Sequence, residues 1–260
     1  VPPKIAIAFI GTGRYAEFFP RWKEAVDTYF LNDCHKTIFA FSDQVDKLYF
    51  NVSDVRLVST PPVIWPEATL YRYKFLDIVM NDLHSGFLEE FDYVFYIDSD
   101  LYAVDDIKLD DMIKAGKNLV GVHHPGNKRD PNWHTLERRK ESLACVDQPL
   151  QAFGPSAVYH QGCLWGGSSK AIGKMVKVLN ERIDDDYKRK VVAVWYDESH
   201  MNRYFLENLE DVNTLSFLYA FPEDTGWSEM YPDAKIKMLH ATKCDIEYPR
   251  PPSHTLPGSR

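Results

Sequence analysis

Two aspartates one residue apart, Asp98 and Asp100, close an otherwise apolar and aromatic run, YVFYIDSDL. In an open α/β sheet ligands bind where strands end, so carboxylates there put negative oxygens at the binding edge. Two carboxylates at that spacing suit a hard divalent cation, which in turn bridges phosphate oxygens. The plainer reading is that acidic residues stop the strand and cap the next turn. A second acidic pair, Asp197 and Glu198, lies in the densest polar segment, VWYDESHMNRYF. At a predicted helix start the dipole favours their charged forms, which explains them as capping groups. The other chemistry open to them is that of a carboxylate facing an anomeric carbon, as nucleophile or as partner of an oxocarbenium-like transition state. Trp195 beside them could stack on a sugar ring or fill the core.

Gly11-Thr12-Gly13 follows the first apolar run, but Ala16 stands where G-x-G-x-x-G needs its last glycine, and no Walker lysine follows. The triplet marks a tight turn whose main chain can approach a nucleotide base, with Tyr15 placed to stack on it. Phosphatases of the haloacid dehalogenase type also carry a DxD after a strand, near the chain start and with a threonine two residues beyond it. Here the pair is mid-chain and position 102 is tyrosine, which disfavours that chemistry.

The elements that must hold these groups are legible. KIAIAFIG (4–11) reads as a buried strand, followed by a helix with Phe19, Trp22, Val26 and Phe30 at helical spacing. TIFAFSD and VRLVST are two further strands, 67–83 is helical behind Pro66, and FDYVFYID and NLVGVHH are strands again. Alternating strands and helices predict a mostly parallel sheet with helices on its faces. Residues 127–155 read as a long polar excursion, AVYHQGCLWGG as paired strands ending in a Gly-Gly turn, and 168–183 as a helix. DESHMNRYFLENL is a second helix capped by Asp197, with Met201, Tyr204, Phe205 and Leu209 on one face. KIKMLHATK is a late strand, and 251–260 is expected to be a frayed tail.

The chain has 260 residues and a formal net charge of −8. That length can bury one sizeable core, and one domain is expected. The charge argues against a nucleic-acid surface, which needs a basic face. The cysteines, Cys34, Cys145, Cys163 and Cys244, form no CxxC pair and are expected to be free thiols. No apolar run approaches the roughly 20 residues that cross a bilayer. Asn51-Val52-Ser53 is a glycosylation sequon of a kind that arises often by chance.

The segments GTGRY, WPEATLYRYKFL, YIDSDL, HHPG, ERRKES, YHQGCLWGG, WYDESHMNRYF and KMLHATK, in this order, resemble the retaining glycosyltransferase family of the blood-group A and B transferases and α-1,3-galactosyltransferase. The resemblance spans nearly the whole chain. It implies a single-domain GT-A-type α/β fold with a nucleotide- and metal-binding part (1–125) and a donor-sugar and acceptor part (126–250). It implies that Ile10, Gly11, Thr12 and Tyr15 contact the uridine, that Asp98 and Asp100 hold Mn2+ (Mg2+ as a substitute) against the diphosphate, and that Lys243 and Arg250 close over that diphosphate. Arg72, Gln161, Gly162, Cys163 and Asp197 match donor-sugar positions, Glu198 the candidate nucleophile, and His124, Thr135 and Trp195 the acceptor side.

The implied reaction moves galactose or N-acetylgalactosamine from UDP to a lactose- or N-acetyllactosamine-like acceptor, fucosylated or plain, in α-1,3 linkage. Donor choice in the family is set around Gln161-Gly162-Cys163, where intermediate bulk leans toward galactose. Tyr196 stands where the family usually has histidine, and Ser99 where it often has valine; neither change removes a carboxylate. His240 falls where the family is usually aromatic, so metal ligation by it is the minority reading. A catalytically silent sugar-binding module is the alternative from another class; its signature would be loss of Asp98, Asp100 or Glu198, and all are present. The expected location is the cytoplasm, with the Golgi lumen as the alternative.

Overall fold

The computed structural model describes residues 1–48, 53–84, 86–223 and 225–241. Lys243, Cys244, Arg250, the 251–260 tail and two residues of the sequon, Asn51 and Val52, lie outside the described residues. In chain order the strands are β1 Lys4–Ile10, β2 His35–Ser42, β3 Val55–Ser59, β4 Tyr93–Ile97, β5 Leu101–Ala103, β6 Leu119–His123, β7 His160–Ser168, β8 Val212–Leu215, β9 Phe221–Pro222 and β10 Met238–His240. The α-helices are α1 Phe19–Tyr29, α2 Glu67–Leu70, α3 Arg72–Asp77, α4 Phe87–Glu90, α5 Leu109–Met112, α6 Pro125–Arg129, α7 Ser169–Lys188, α8 Tyr196–Glu207 and α9 Thr225–Met230.

The main sheet runs β3-β2-β1-β4-β7-β6-β8. Its pairings are parallel except those of β7, which runs against β4 and β6. β1 shows why the sequence folds this way. Successive side chains of a strand point to opposite faces, so Ile5, Ile7 and Phe9 enter one core with Phe19, Trp22 and Val26 of α1. Ala6, Ala8 and Ile10 enter the other, with Tyr73 of α3 and Met175, Val176 and Leu179 of α7. A strand buried on both faces needs a continuous apolar run, as 5–10 provides.

Two sequence expectations change. AVYHQGCLWGG forms one strand, β7, and its glycines lie inside the sheet and make no turn. A Cβ on Gly166 would sit 2.2 Å from the Phe95 ring, and one on Gly167, at φ +149°, would sit 1.9 Å from the Asn118 carbonyl. Glycine is required there because β4 and the start of β6 flank the strand closely. The helical stretch after Pro66 is broken into α2, α3 and a π-helical turn, Ile78–Leu83. A small second sheet, β5-β10-β9, packs beside the first. It begins directly after Asp100, which ties the acidic turn to β10.

Candidate active site

β1, β4 and β6 end at one edge of the sheet, and β7, being reversed, begins there. Four segments therefore meet at that edge: the Gly11 turn, the Asp98-Asp100 turn, the His123-His124 end of β6 and the Gln161–Cys163 start of β7. The first turn is built for close approach. A Cβ on Gly11 would lie 2.6 Å from the Phe9 ring and 2.9 Å from the Tyr15 carbonyl. Gly13 takes φ +56° and donates its N–H to Asp43 Oδ1 at 2.8 Å. Ile10 and Thr12 are buried and Tyr15 half-buried at this turn.

Asp98 accepts the Tyr96 hydroxyl at 2.6 Å, and its N–H reaches the Cys163 carbonyl at 2.8 Å. Asp100 is buried, and Ala241 N–H donates to its carbonyl at 2.9 Å. That bond brings His240 in, with Nε2 at 3.3 Å from Asp100 Oδ1. One ligand atom from each of Asp98, Asp100 and His240 lies within 4.8 Å of the others. Two carboxylates and an imidazole are a donor set that fits a divalent cation. Ser99 between them is buried and uncharged.

Arg72 joins this turn to the second acidic pair. Its buried guanidinium lies 3.6 Å from Asp98 Oδ1 and 3.3 Å from Asp197 Oδ2, and it donates to the Gly162 carbonyl at 2.8 Å. It also stands 4.8 Å above the Tyr96 ring. Burial alone would lower its pKa, but Asp197, followed by Tyr96 and Asp98, outweighs burial and holds Arg72 charged. Burial pushes Asp197 up to about 6, against the pull of Arg72.

A bulge makes the Gly162 main chain available. Opposite β6, Trp165 pairs with Gly121 and Gln161 with Val122, so residues 162–164 of β7 have no partner on that strand. Freed from the ladder, the Gly162 N–H donates to Glu198 Oε2 at 2.8 Å while its carbonyl takes Arg72. A Cβ at 162 would come within 3.3 Å of Asp197 Oδ2 and 3.6 Å of Glu198 Oε2. Gln161 points its amide nitrogen to within 3.4 Å of His240 Nδ1. Cys163 turns into the core, and burial raises its thiol well above the ordinary range.

Glu198 Oε1 meets His134 Nδ1 at 3.0 Å. His134 is stacked on Trp195, with centroids 3.8 Å apart and planes 13° apart, and His124 lies behind it at 4.3 Å. Burial lowers His124 to about 4, so it is neutral at pH 7. Thr135 is exposed next to this cluster. The irregular 127–155 segment is fastened at both sides of His134. Asn127 donates to the His134 carbonyl at 2.9 Å, and buried Glu137 accepts the Val194 N–H at 2.8 Å.

Asp197 does not cap α8. The N-cap is Trp195, whose N–H donates to Ser199 Oγ at 3.0 Å, and Asp197 sits in the first turn turned toward Arg72. Between them Tyr196 adopts φ +52°, a left-handed conformation that costs a non-glycine residue about 1 kcal/mol. That turn carries the chain directly into the two carboxylates, and the Tyr196 ring rests edge-on against Trp65 at 4.7 Å.

Residues 4–248 match the model of one family, glycosyltransferase family 6. The chain belongs to glycosyltransferase family 6. It is 28% identical over 236 residues to the O-antigen biosynthesis glycosyltransferase WbnI of Escherichia coli, covering 90% of this chain and 93% of that protein. It is 25% identical to histo-blood group ABO system transferase 2 of Rattus norvegicus, covering 86% of this chain and 65% of the rat protein. It is 24% identical to globoside alpha-1,3-N-acetylgalactosaminyltransferase 1 of Gallus gallus, covering 78% of this chain and 57% of the chicken protein. The mixed sheet, mostly parallel and flanked by helices, agrees with the GT-A architecture expected for family 6.

In this family 6 glycosyltransferase the structure brings together Asp98, Asp100, Arg72, Gln161, Gly162, Asp197 and Glu198, with Trp195 and His124 alongside. Ile10, Gly11, Thr12 and Tyr15 form the first turn of the same edge. Sequence reasoning passed over His134, whose only signal was its place beside Thr135. No described helix is long and apolar enough to cross a membrane, and Cys34, Cys145 and Cys163 are free.

Proposed function

We propose that this family 6 enzyme moves galactose or N-acetylgalactosamine from a UDP-sugar to a galactose-containing acceptor in α-1,3 linkage, with retention at the anomeric carbon. The reaction is metal-dependent, with Mn2+ as the cation and Mg2+ as a substitute. The observation that carries this reading is the link from Asp98 through Arg72 to Asp197 and, through the two main-chain groups of Gly162, to Glu198. A diphosphate-binding turn and a sugar-facing carboxylate are thereby held in one rigid network.

Asp98 and Asp100 would hold a divalent cation, which would supply positive charge where the diphosphate departs. Arg72 holds Asp98 and Asp197 in place, and Asp197 accepts hydrogen bonds from the sugar hydroxyls. Glu198, held by Gly162 N–H and His134, presents its carboxylate to the anomeric carbon. Attack by Glu198 breaks the bond to the β-phosphate oxygen, which keeps the electron pair. The acceptor hydroxyl then displaces Glu198, which leaves as its carboxylate, and passes its proton to the departed β-phosphate oxygen. A same-face attack by the acceptor through an ion pair gives the same stereochemistry, with Glu198 stabilising the cationic sugar.

Ile10, Gly11, Thr12 and Tyr15 take the uridine, and Lys243 and Arg250 stabilise the leaving diphosphate. Trp195, His124 and Thr135 take the acceptor, of lactose or N-acetyllactosamine type, plain or fucosylated. The Gln161 side chain beside Gly162 supports the lean toward galactose, while the globoside relatives are named for N-acetylgalactosamine transfer. The proposed location is the cytoplasm, with the Golgi lumen as the alternative. The test is UDP release in Mn2+ with UDP-galactose and with UDP-N-acetylgalactosamine, each with and without lactose or fucosylated lactose. Release stimulated by an acceptor is expected; no release with either donor would sink the reading.

A further inference from the structure

The aspartate pair is not the whole donor set on this edge. We propose that His240 is a third protein ligand of the divalent cation and makes the site select Mn2+ and similar transition-metal ions over Mg2+. This rests on the metal-dependent reading above and adds a nitrogen donor to it.

The position of His240 is fixed by main chain. β10 pairs antiparallel with β5, placing His240 opposite Leu101, the residue after Asp100. It also pairs with β9, placing His240 beside Pro222, and Ala241 N–H closes the arrangement on the Asp100 carbonyl at 2.9 Å. Three backbone attachments fix where the His240 side chain departs, and its Nε2 lies 3.3 Å from Asp100 Oδ1. Ligands each about 2.1–2.3 Å from a shared cation stand up to roughly 4.5 Å apart. The Asp98, Asp100 and His240 donor atoms, mutually within 4.8 Å, have nearly that spacing already.

The surroundings suit a ligating imidazole. Such a histidine gives its other ring N–H to an acceptor, which fixes the tautomer and aims the free lone pair. Gln161 is in place for this: its amide nitrogen is 3.4 Å from His240 Nδ1, and its Oε1 is buried with no hydrogen-bond partner. A half-turn of the amide puts that oxygen on Nδ1–H and leaves Nε2 for the cation. The imidazole side chain is 19% exposed and that of Asp98 24%, so among the described residues both reach solvent, where phosphate oxygens and water can approach. Mg2+ prefers oxygen ligands and releases water reluctantly, whereas imidazole favours the later divalent ions. His240 therefore tilts the preference, and Gln161 acquires a metal-orienting role.

The experiment is pulsed electron paramagnetic resonance of Mn2+ bound to the wild-type protein with UDP, prepared with natural-abundance and with 15N-labelled histidine. Nitrogen modulation that changes with the label is expected. In parallel, free Mn2+ is titrated by its resonance signal, with Mg2+ as competitor, for the wild type and for His240→Ala. Loss of the ligand should weaken Mn2+ at least about tenfold and reduce the preference over Mg2+ by a similar factor. Bound Mn2+ without histidine modulation in the wild type overturns the inference and leaves metal dependence standing. Absence of Mn2+ binding even with UDP overturns both. Because His124, His134 and Glu198 form a second group able to hold a metal, the modulation is assigned by its loss in His240→Gln and its persistence in His134→Phe, and modulation that survives His240→Gln overturns the inference.

Discussion

His134 Nδ1 stands 3.0 Å from Glu198 Oε1, and the same imidazole lies flat on Trp195 at 3.8 Å. With Gly162 N–H on Oε2, both oxygens of the candidate nucleophile are anchored. His134→Phe keeps a ring for the stack and removes the bond to Oε1. A carboxylate left free to swing by an ångström loses reaction geometry, so kcat should fall on the order of 10- to 100-fold with donor KM little changed. Steady-state kinetics with an unchanged kcat would remove His134 from the catalytic account.

Arg72 is the buried cation between two carboxylates. Arg72→Leu leaves Asp197 without its cation, only the Thr69 side chain still bonding it, and should cost about 3–5 kcal/mol in urea unfolding. Without Arg72 the Asp197 carboxyl rises further above its present value of about 6. A raised carboxylate contributes stability fully present below its unfolded pKa and lost as pH rises through its folded one. The Arg72→Leu penalty should thus be larger at pH 8 than at pH 5, and a pH-independent penalty would contradict the pairing.

Buried neutral histidines set the onset of acid destabilisation, and the depressed carboxyls of Glu90, Glu137 and Glu207 add to it at lower pH. Burial lowers His160 to about 3 and His124 to about 4, and burial with Arg182 and Arg203 nearby lowers His200 to about 3 although Asp186 Oδ2 lies 3.5 Å from its Nε2. A depressed folded pKa means that the unfolded chain binds more protons, so the stability is full above about 6.5 and is lost as pH falls toward the folded value. Asp197 acts in the opposite sense between about 4 and 6, but three histidines outweigh one carboxylate. Tm should hold above pH 6.5 and fall steeply from there to pH 4, and His160→Gln should flatten that fall. A level Tm across this range would refute the assignment.

The β7 glycines make a packing prediction. Gly167→Ala places a methyl group 1.9 Å from the Asn118 carbonyl at a backbone angle that side chains rarely adopt. Overlap with main chain cannot be relieved by a rotamer change, so a loss of about 3 kcal/mol or more is expected from denaturant unfolding. A variant as stable as the wild type would show that β6 can move aside.

What could be read from the sequence follows from how far each signal reaches along the chain. β1, β4, α1 and α7 were legible because each is an apolar run or stripe complete in itself. β5 and β9 are three and two residues long, too short for any period, so the second sheet could not be anticipated. The reversed direction of β7 came through as paired strands, because glycines that serve close packing look like a turn in sequence. At the site, Asp98, Asp100, Asp197 and Glu198 announced themselves by local clustering. His134 meets Glu198 across 64 residues and His240 meets Gln161 across 79, separations that no local pattern encodes.

The most direct measurement is the proton NMR spectrum of the trisaccharide formed from a UDP-sugar and lactose in Mn2+. The account predicts a single new α-configured anomeric signal with the wild-type protein and none with Glu198→Gln or Asp100→Asn. A β-configured product, or an α product formed at the wild-type rate by Glu198→Gln, would contradict it.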